Sequence, residues 1–171
     1  MRRPGQKPSL SDLEAGDPNH SYAYAIALLA RRDYSGKELR KKLSDRGYIE
    51  IAIEPVVEEL EASNKLNDKR YGSNVVAYRA RRGQGPARIR QELQRAGIDK
   101  ETVEEATKGE DAPDFAKLAR ETRVRKFGAE LPKDWKERSK QARFLQYRGF
   151  SNDHIRAALE GDLPDGEPDP S

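Results

Sequence analysis

Leu93-Gln94-Arg95-Ala96-Gly97-Ile98-Asp99-Lys100-Glu101-Thr102-Val103 decides the architecture of this chain. Its skeleton is a leucine, a glycine four residues on, an apolar residue directly after, and another five further. The same skeleton recurs as Leu43, Gly47, Tyr48 and Ile53, and again as Leu145, Gly149, Phe150 and Ile155. The first two copies align without a gap at an offset of 50 residues, placing Ala30-Arg31-Arg32 on Ala80-Arg81-Arg82 and Leu39 on Ile89, and the third follows at an offset of 52. Apolar and glycine positions repeat while surface positions drift, as in a chain assembled from copies of one small unit that stack on their neighbours.

Each copy reads as three helices. In the first, Ser21 or Asn19 is placed to cap a helix running to about Asp33, with Tyr22, Ala25, Ile26 and Leu29 at helical spacing. Ser35-Gly36-Lys37-Glu38 is a capping box, in which the Ser35 hydroxyl accepts from the Glu38 amide while the Glu38 carboxylate reaches back. The helix it opens turns Leu39 and Leu43 inward and stops at Gly47, a residue that tolerates the left-handed conformation. A third helix, from about Glu50 to Ala62, carries Ile53, Val56, Val57 and Leu60 on one face and needs Pro55 in its opening turn.

The second copy uses Asp68 as a cap, Gly85-Pro86 as the start of its middle helix, Gly97 as the stop and Asp99 as the next cap. The third begins with Phe115 and Leu118 after Pro113-Asp114, passes a loop with Gly128 and Pro132, and resumes at Trp135; Gly149 ends that helix and Ser151 caps the last. No stretch has the alternating period of a strand. The fold expected is therefore all-α, three tandem three-helix, helix-turn-helix-like repeats in an elongated arrangement. The repeats span 19–68, 69–110 and 111–161, between a flexible arm over 1–18 and an acidic tail over 162–171.

An apolar share of 35% with 37% charge is lean for one globule of 171 residues and suits a thin stack of helices. The apolar run Ala23 to Ala30 is stopped by Arg31-Arg32, and Met1-Arg2-Arg3 lacks the apolar segment of a secretory signal, so a cytoplasmic location without membrane contact is expected. There is no cysteine, and the two histidines, His20 and His154, stand too far apart for a metal cluster; each is assigned a structural or solvent role. Gly83-Gln84-Gly85 lacks the preceding strand and further glycine of a dinucleotide loop, and the carboxylates lie in exposed helical rows. Neither a catalytic set nor a cofactor site is expected.

The net charge of +3 hides a segregation by helix. From Lys69 to Arg95 eight basic residues face one acid, Glu92, whereas Asp99 to Asp111 holds six acids against Lys100 and Lys108. The first copy repeats this: Arg31, Arg32, Lys37, Arg40, Lys41 and Lys42 precede Glu50, Glu54, Glu58, Glu59 and Glu61. Such ordering points to a polyanion or an acidic protein surface as partner. The Leu93 to Val103 spacing is also that of a DNA-reading helix-turn-helix. There the second helix enters the major groove, and here that helix offers Glu101, Glu104 and Glu105, so phosphate repulsion opposes insertion.

Asn67-Asp68-Lys69-Arg70-Tyr71, Arg79, Gly85-Pro86-Ala87-Arg88-Ile89-Arg90-Gln91-Glu92-Leu93 and Ala96-Gly97-Ile98 together resemble the bacterial RecX family, regulators of the RecA recombinase. Arg31-Arg32-Asp33-Tyr34-Ser35, Arg46-Gly47-Tyr48, Arg143-Phe144-Leu145 and Arg148-Gly149-Phe150-Ser151 extend the likeness over Ser21 to Glu160. Where the family often carries phenylalanine and tryptophan at the start of the middle repeat, this chain has Tyr71 and Tyr78. The resemblance implies a non-enzymatic inhibitor that binds the RecA filament on single-stranded DNA in its helical groove; a monomer is expected. It further implies suppression of ATP hydrolysis, strand exchange and the co-protease activity behind the SOS response.

Set beside the charge pattern, it makes Arg31, Arg32, Lys41, Lys42, Arg79, Arg81, Arg82, Arg88, Arg90 and Arg143 the candidate filament or DNA contacts. The alternative is an independent basic DNA-binding protein that acts on recombination indirectly, with salt-sensitive binding to single- and double-stranded DNA. A scaffold for another helical protein is a third class.

Overall fold

The computed structural model describes residues 10–160. Among these residues the chain is helical throughout its regular structure: α1 Asp12–Ala15, α2 Pro18–Leu29, α3 Gly36–Arg46, α4 Glu50–Ala62, α5 Asp68–Arg81, α6 Pro86–Arg95, α7 Lys100–Lys108, α8 Phe115–Phe127, α9 Trp135–Arg148 and α10 Asn152–Glu160. Helices α2 to α4, α5 to α7 and α8 to α10 are the three copies. The recurring motif is buried in every copy: Leu43, Leu93 and Leu145 are fully enclosed, Tyr48, Ile98 and Phe150 are each 4% exposed, and Ile53, Val103 and Ile155 line the same cores.

The chain forms two compact units, one of residues up to Gly72 with Arg95–Thr102, the other of Ser73–Gln94 with the residues from Val103 on. In the first, α2 and α3 pack on α4, whose Ile53, Val56, Val57 and Leu60 face Ala25, Leu28, Leu39 and Leu43. Spacings of three and four residues put those side chains on one stripe, and burying each contributes roughly 1.5–3 kcal/mol. In the second unit α8 packs on α9 and α10, with Phe115, Ala119, Leu145, Ile155 and Leu159 inside.

Each unit contains one joint of the same design. In the first unit the N-terminus of α3 meets the turn after α6: the Ser35 hydroxyl donates to the Ala96 carbonyl at 2.6 Å and Lys37 Nζ to the Arg95 carbonyl at 3.3 Å. In the second unit the N-terminus of α6 meets the turn after α9: the Gly85 N–H donates to the Arg148 carbonyl at 2.8 Å and the Ala87 N–H to the Gly149 carbonyl at 3.0 Å. Ser35 and Gly85 are equivalent positions of the repeat, as are Gly97 and Gly149. The glycine that ends one helix is therefore also the landing site for the opening of the preceding copy's middle helix.

The turn glycines carry the conformation expected, with φ of 110° at Gly47, 81° at Gly97 and 94° at Gly149. The joints add a second demand at two of them. A Cβ on Gly97 would stand 2.6 Å from the Lys37 side chain, and one on Gly149 2.8 Å from the Arg88 backbone nitrogen, whereas at Gly47 it would meet only Leu10 at 3.7 Å.

Several boundaries depart from expectation. Helix α2 is capped by Asp17, which accepts the Asn19 N–H at 2.9 Å, and not by Ser21 or Asn19; Pro18 at the first position sets φ in advance. Ser21 lies inside the helix, fully buried, and the helix ends at Leu29, short of Asp33. Within the arm assigned to 1–18, Ser11 and Glu14 close a capping box over α1; residues 1–9 and the tail over 162–171 lie outside the described residues.

Pro55 falls in the second turn of α4 and not the first, on the exposed side, where the amide it lacks costs no core contact. Asp68 does not cap α5, since Asn67 accepts the Arg70 N–H at 2.8 Å. Asp68 instead accepts from the Gly36 N–H at 2.9 Å, capping α3 from across the unit.

Arg123 of α8 is 2% exposed, and its guanidinium donates to the carbonyls of Glu130 at 2.9 Å and Ala129 at 3.2 Å and to Gln141 Oε1 at 3.5 Å. Burial and the charge of Arg120 lower its pKa. None of these acceptors is a carboxylate, so neutral carbonyls carry the cost of enclosing the charge and the α8–α9 loop is held in return.

Candidate functional site

In the first unit the candidate cations sit on the rims of α2 and α3. Leu39 and Leu43 point inward, which turns Lys41 and Lys42 to solvent. Lys41 is paired with Asp45 at 2.9 Å; Arg32 bonds Glu38 at 3.2 Å and lies 3.7 Å over the Tyr34 ring. Among the described residues Arg31 and Lys42 have no carboxylate partner. Arg40 is held by Glu54 at 3.1 Å and Glu61 at 3.9 Å, so part of the acidic row on α4 serves the fold.

The second unit gathers more. Arg81 and Arg82 project from the end of α5, and Arg82 rests on the exposed Tyr78 ring at 5.1 Å and donates to its hydroxyl. Arg88 in the first turn of α6 lies 5.4 Å over the Tyr147 ring. Arg79 behaves differently: half-buried, it bonds Glu92 at 2.7 Å and straps α5 to α6. Arg90 is half-buried near His154, and Arg143 is exposed on α9, lining a groove with Lys136, Lys140, Phe144 and Tyr147 and with the carboxylates Asp134 and Glu137, the latter 3.5 Å from Lys140. The candidates thus fall into outward cations (Arg31, Lys42, Arg81, Arg82, Arg88, Arg143), cations already engaged with carboxylates (Arg32, Lys41, Arg79), and the half-buried Arg90.

Of the third copy's share of this surface, reading the sequence named only Arg143. Trp135 is 80% exposed and Tyr147 76% exposed, on the same helix as Lys136, Lys140 and Arg143. The signal was present, because 136, 140, 143 and 147 follow one helical face. Concentrating on the denser basic run from Lys69 to Arg95 hid it.

The histidines serve the fold. His20 Nδ1 lies 2.9 Å from the Tyr48 hydroxyl, which also donates to the His20 carbonyl at 3.2 Å. His154 completes a capping box at α10: its N–H donates to the Ser151 hydroxyl and the Ser151 N–H donates to its Nδ1, both at 3.3 Å. An imidazole accepts there only when neutral. Burial lowers the His154 pKa from 6.5, opposed by Asp153 and Asp114 and assisted by Arg90.

A depressed folded-state pKa gives stability that is complete above the unfolded value and lost as pH falls through the folded one. The melting temperature of the parent is accordingly expected to fall further between pH 7.5 and 5 than that of His154→Gln, measured by circular dichroism; equal falls would remove His154 from the account.

No group of three or more His, Asp or Glu among the described residues could hold a metal ion, and no described helix is long and apolar enough to cross a membrane. Fold and surface together define an all-helical protein built of tandem three-helix repeats with outward-facing cations. Models of the first, second and third three-helix domains of RecX match residues 22–60, 67–106 and 114–159 in that order. The chain belongs to the RecX family.

It is 42% identical over 147 residues to the regulatory protein RecX of Halorhodospira halophila, covering 85% of this chain and 90% of that one. With the regulatory protein RecX of Pseudomonas syringae pv. tomato it shares 43% identity over 137 residues, covering 80% and 88%. The crystal structure of RecX from Lactobacillus salivarius superposes with a TM-score of 0.71 at 23% identity, over 85% of this chain and 96% of that one. A second crystal structure of a regulatory protein RecX gives 0.73 at 21% identity, over 91% and 81%. At such identities the two structures speak for the fold alone.

Proposed function

We propose that this chain is a negative regulator of RecA that binds the RecA filament on single-stranded DNA along its helical groove. Bound there it suppresses ATP hydrolysis, strand exchange and the SOS co-protease activity. Membership of the RecX family supports the coarser part, regulation of RecA. The observation that carries the finer part is the outward basic face made by Arg81, Arg82 and Arg88, on elements whose acidic partners are already spent on the fold. Modest contacts repeated over several filament subunits give avidity for the polymer over the monomer.

A second reading, direct binding of bare DNA, is favoured by the exposed Trp135 and Tyr147 beside Lys136, Lys140 and Arg143, since single strands are held by basic grooves with stacking aromatics. Salt separates the two. Phosphate contacts weaken steeply as salt rises, with a slope near −0.7 per contact for single strands. Inhibition of RecA ATP hydrolysis is expected to persist at a salt concentration that abolishes binding of the chain to a bare oligonucleotide; loss of both together would favour the second reading.

A further inference from the structure

Arg138 of α9 holds the end of α10: its guanidinium donates to the Leu159 carbonyl at 3.3 Å and pairs with the Glu160 carboxylate at 3.6 Å. The chain therefore leaves α10 beside the first turns of α9, within the second unit. At about 100° per residue, Trp135 stands on α9 between Arg138 and the stripe of Lys136, Arg143 and Tyr147. Lys136 and Arg143 are exposed and have no carboxylate partner among the described residues. The two carboxylates on this side serve the helix itself. Asp134 accepts the Glu137 N–H at 2.8 Å, and Glu137 holds Gln141 at 3.2 Å and Lys140 at 3.5 Å. Helix α9 is thus left with an outward face that joins a bare indole to two free cations.

The sequence that follows Glu160 has the opposite character. Residues 161–171 contain Asp162, Asp165, Glu167 and Asp169, no lysine or arginine, and a single large apolar residue, Leu163. A run of acids is by itself only a solvated segment. Here place and length add to charge. Eleven residues reach up to about 36 Å when extended, and α9, with 14 residues, is about 21 Å long. Arg138 and Trp135 are three residues apart and so neighbours on the helix surface, which puts the indole within reach of Leu163 and the cations within reach of the acids beyond it. A short tether of this kind sets an effective concentration on the order of mM.

We infer that the acidic segment 162–171 docks on the outward face of α9, with Leu163 against the Trp135 ring and the acids against Lys136 and Arg143. A docked segment covers the cations and aromatic rings that direct DNA binding would use, and so competes with a strand for that face. The contact belongs to the chain alone and does not depend on which partner reading holds.

Trp135 is the one tryptophan of the chain, so its fluorescence reports on this face directly. The test is quenching of the full chain by acrylamide, a neutral quencher, at low and high salt. The parent is compared with a quadruple variant (Asp162→Asn, Asp165→Asn, Glu167→Gln, Asp169→Asn) and with a double variant (Lys136→Gln, Arg143→Gln). An effective concentration of order mM acting on a contact of mM affinity leaves roughly half of the parent docked, so the quenching constant is expected to rise about twofold in both variants. High salt should raise it in the parent alone, because exposed ion pairs are screened. Circular dichroism should match the parent, since Lys136 and Arg143 are exposed and the other four positions follow α10. Equal quenching of parent and quadruple variant would overturn the proposal. Protection that survives in the double variant would also overturn it, by moving the acids to another cation such as Arg156 of α10, as would protection that grows with protein concentration, by making the occupant a second copy's segment.

Discussion

Gly85→Ala is expected to destabilise the chain by about 3–5 kcal/mol, from overpacking of 1–3 kcal/mol and the loss of two backbone hydrogen bonds at about 1 kcal/mol each. A Cβ on Gly85 would lie 2.3 Å from the Gly149 carbonyl carbon and from the Phe150 nitrogen. Both are backbone atoms with no rotamer to yield. Displacing them breaks the Gly85 to Arg148 and Ala87 to Gly149 bonds that make the joint of the second unit.

Small domains have only about 5–15 kcal/mol to lose, so the variant should be largely unfolded at 37 °C or close to it. Gly47→Ala is the internal control. Its φ of 110° strains an alanine, but its surroundings are open, and only ~1–2 kcal/mol is at stake. Urea unfolding followed by circular dichroism should rank Gly85→Ala far below Gly47→Ala. Equal midpoints would mean that the joint contributes nothing and that the repeats are tied together by other contacts.

The second large effect is on function. Reversing Arg81 and Arg82 to glutamate should raise the concentration of chain needed for half-inhibition of RecA ATP hydrolysis by at least about tenfold, the least expected when a paired interfacial charge is removed. Both side chains are exposed at the end of α5, and neither supports the fold through a carboxylate among the described residues. Helicity and melting should therefore stay close to those of the parent. This contrast is what distinguishes a contact residue from a structural one. Arg79→Glu, by comparison, should lower stability, because it would set a carboxylate against Glu92 where the 2.7 Å ion pair now stands. Unchanged inhibition by the Arg81, Arg82 double variant would refute the assignment of the contact surface.

How much of this was legible in advance depends on the range of the interaction. The helices could be read because leucine, glycine and aliphatic spacings are local: Leu43, Leu93 and Leu145 are buried, and Ser35, Gly97 and Ser151 close the turns they were assigned. The joints could not, since nothing near Gly97 in sequence announces that Ser35 and Lys37 land there. Asp68 illustrates the same limit. Its type and position suit a helix cap, and it is one, but for α3, which lies more than thirty residues before it.

The site was partly legible for a related reason. A sequence shows where arginines are and not what they hold. Arg81, Arg82 and Arg79 read alike, yet Glu92 claims the last of them, and Arg123, in a run of basic residues, is enclosed by the carbonyls of a loop. The separation of basic first and second helices from acidic third helices survives as a surface property, but part of the acidic row is internal bookkeeping of the fold, with Glu54 and Glu61 holding Arg40.

The central claim is that this RecX-family chain acts from within the groove of the RecA filament. An electron cryomicroscopy reconstruction of RecA on single-stranded DNA with the chain bound tests it most directly. The account predicts added density that follows the helical groove, touches more than one RecA subunit, and brings α5 and α6 against the groove wall or the DNA. Density confined to filament ends or to DNA without RecA would contradict it.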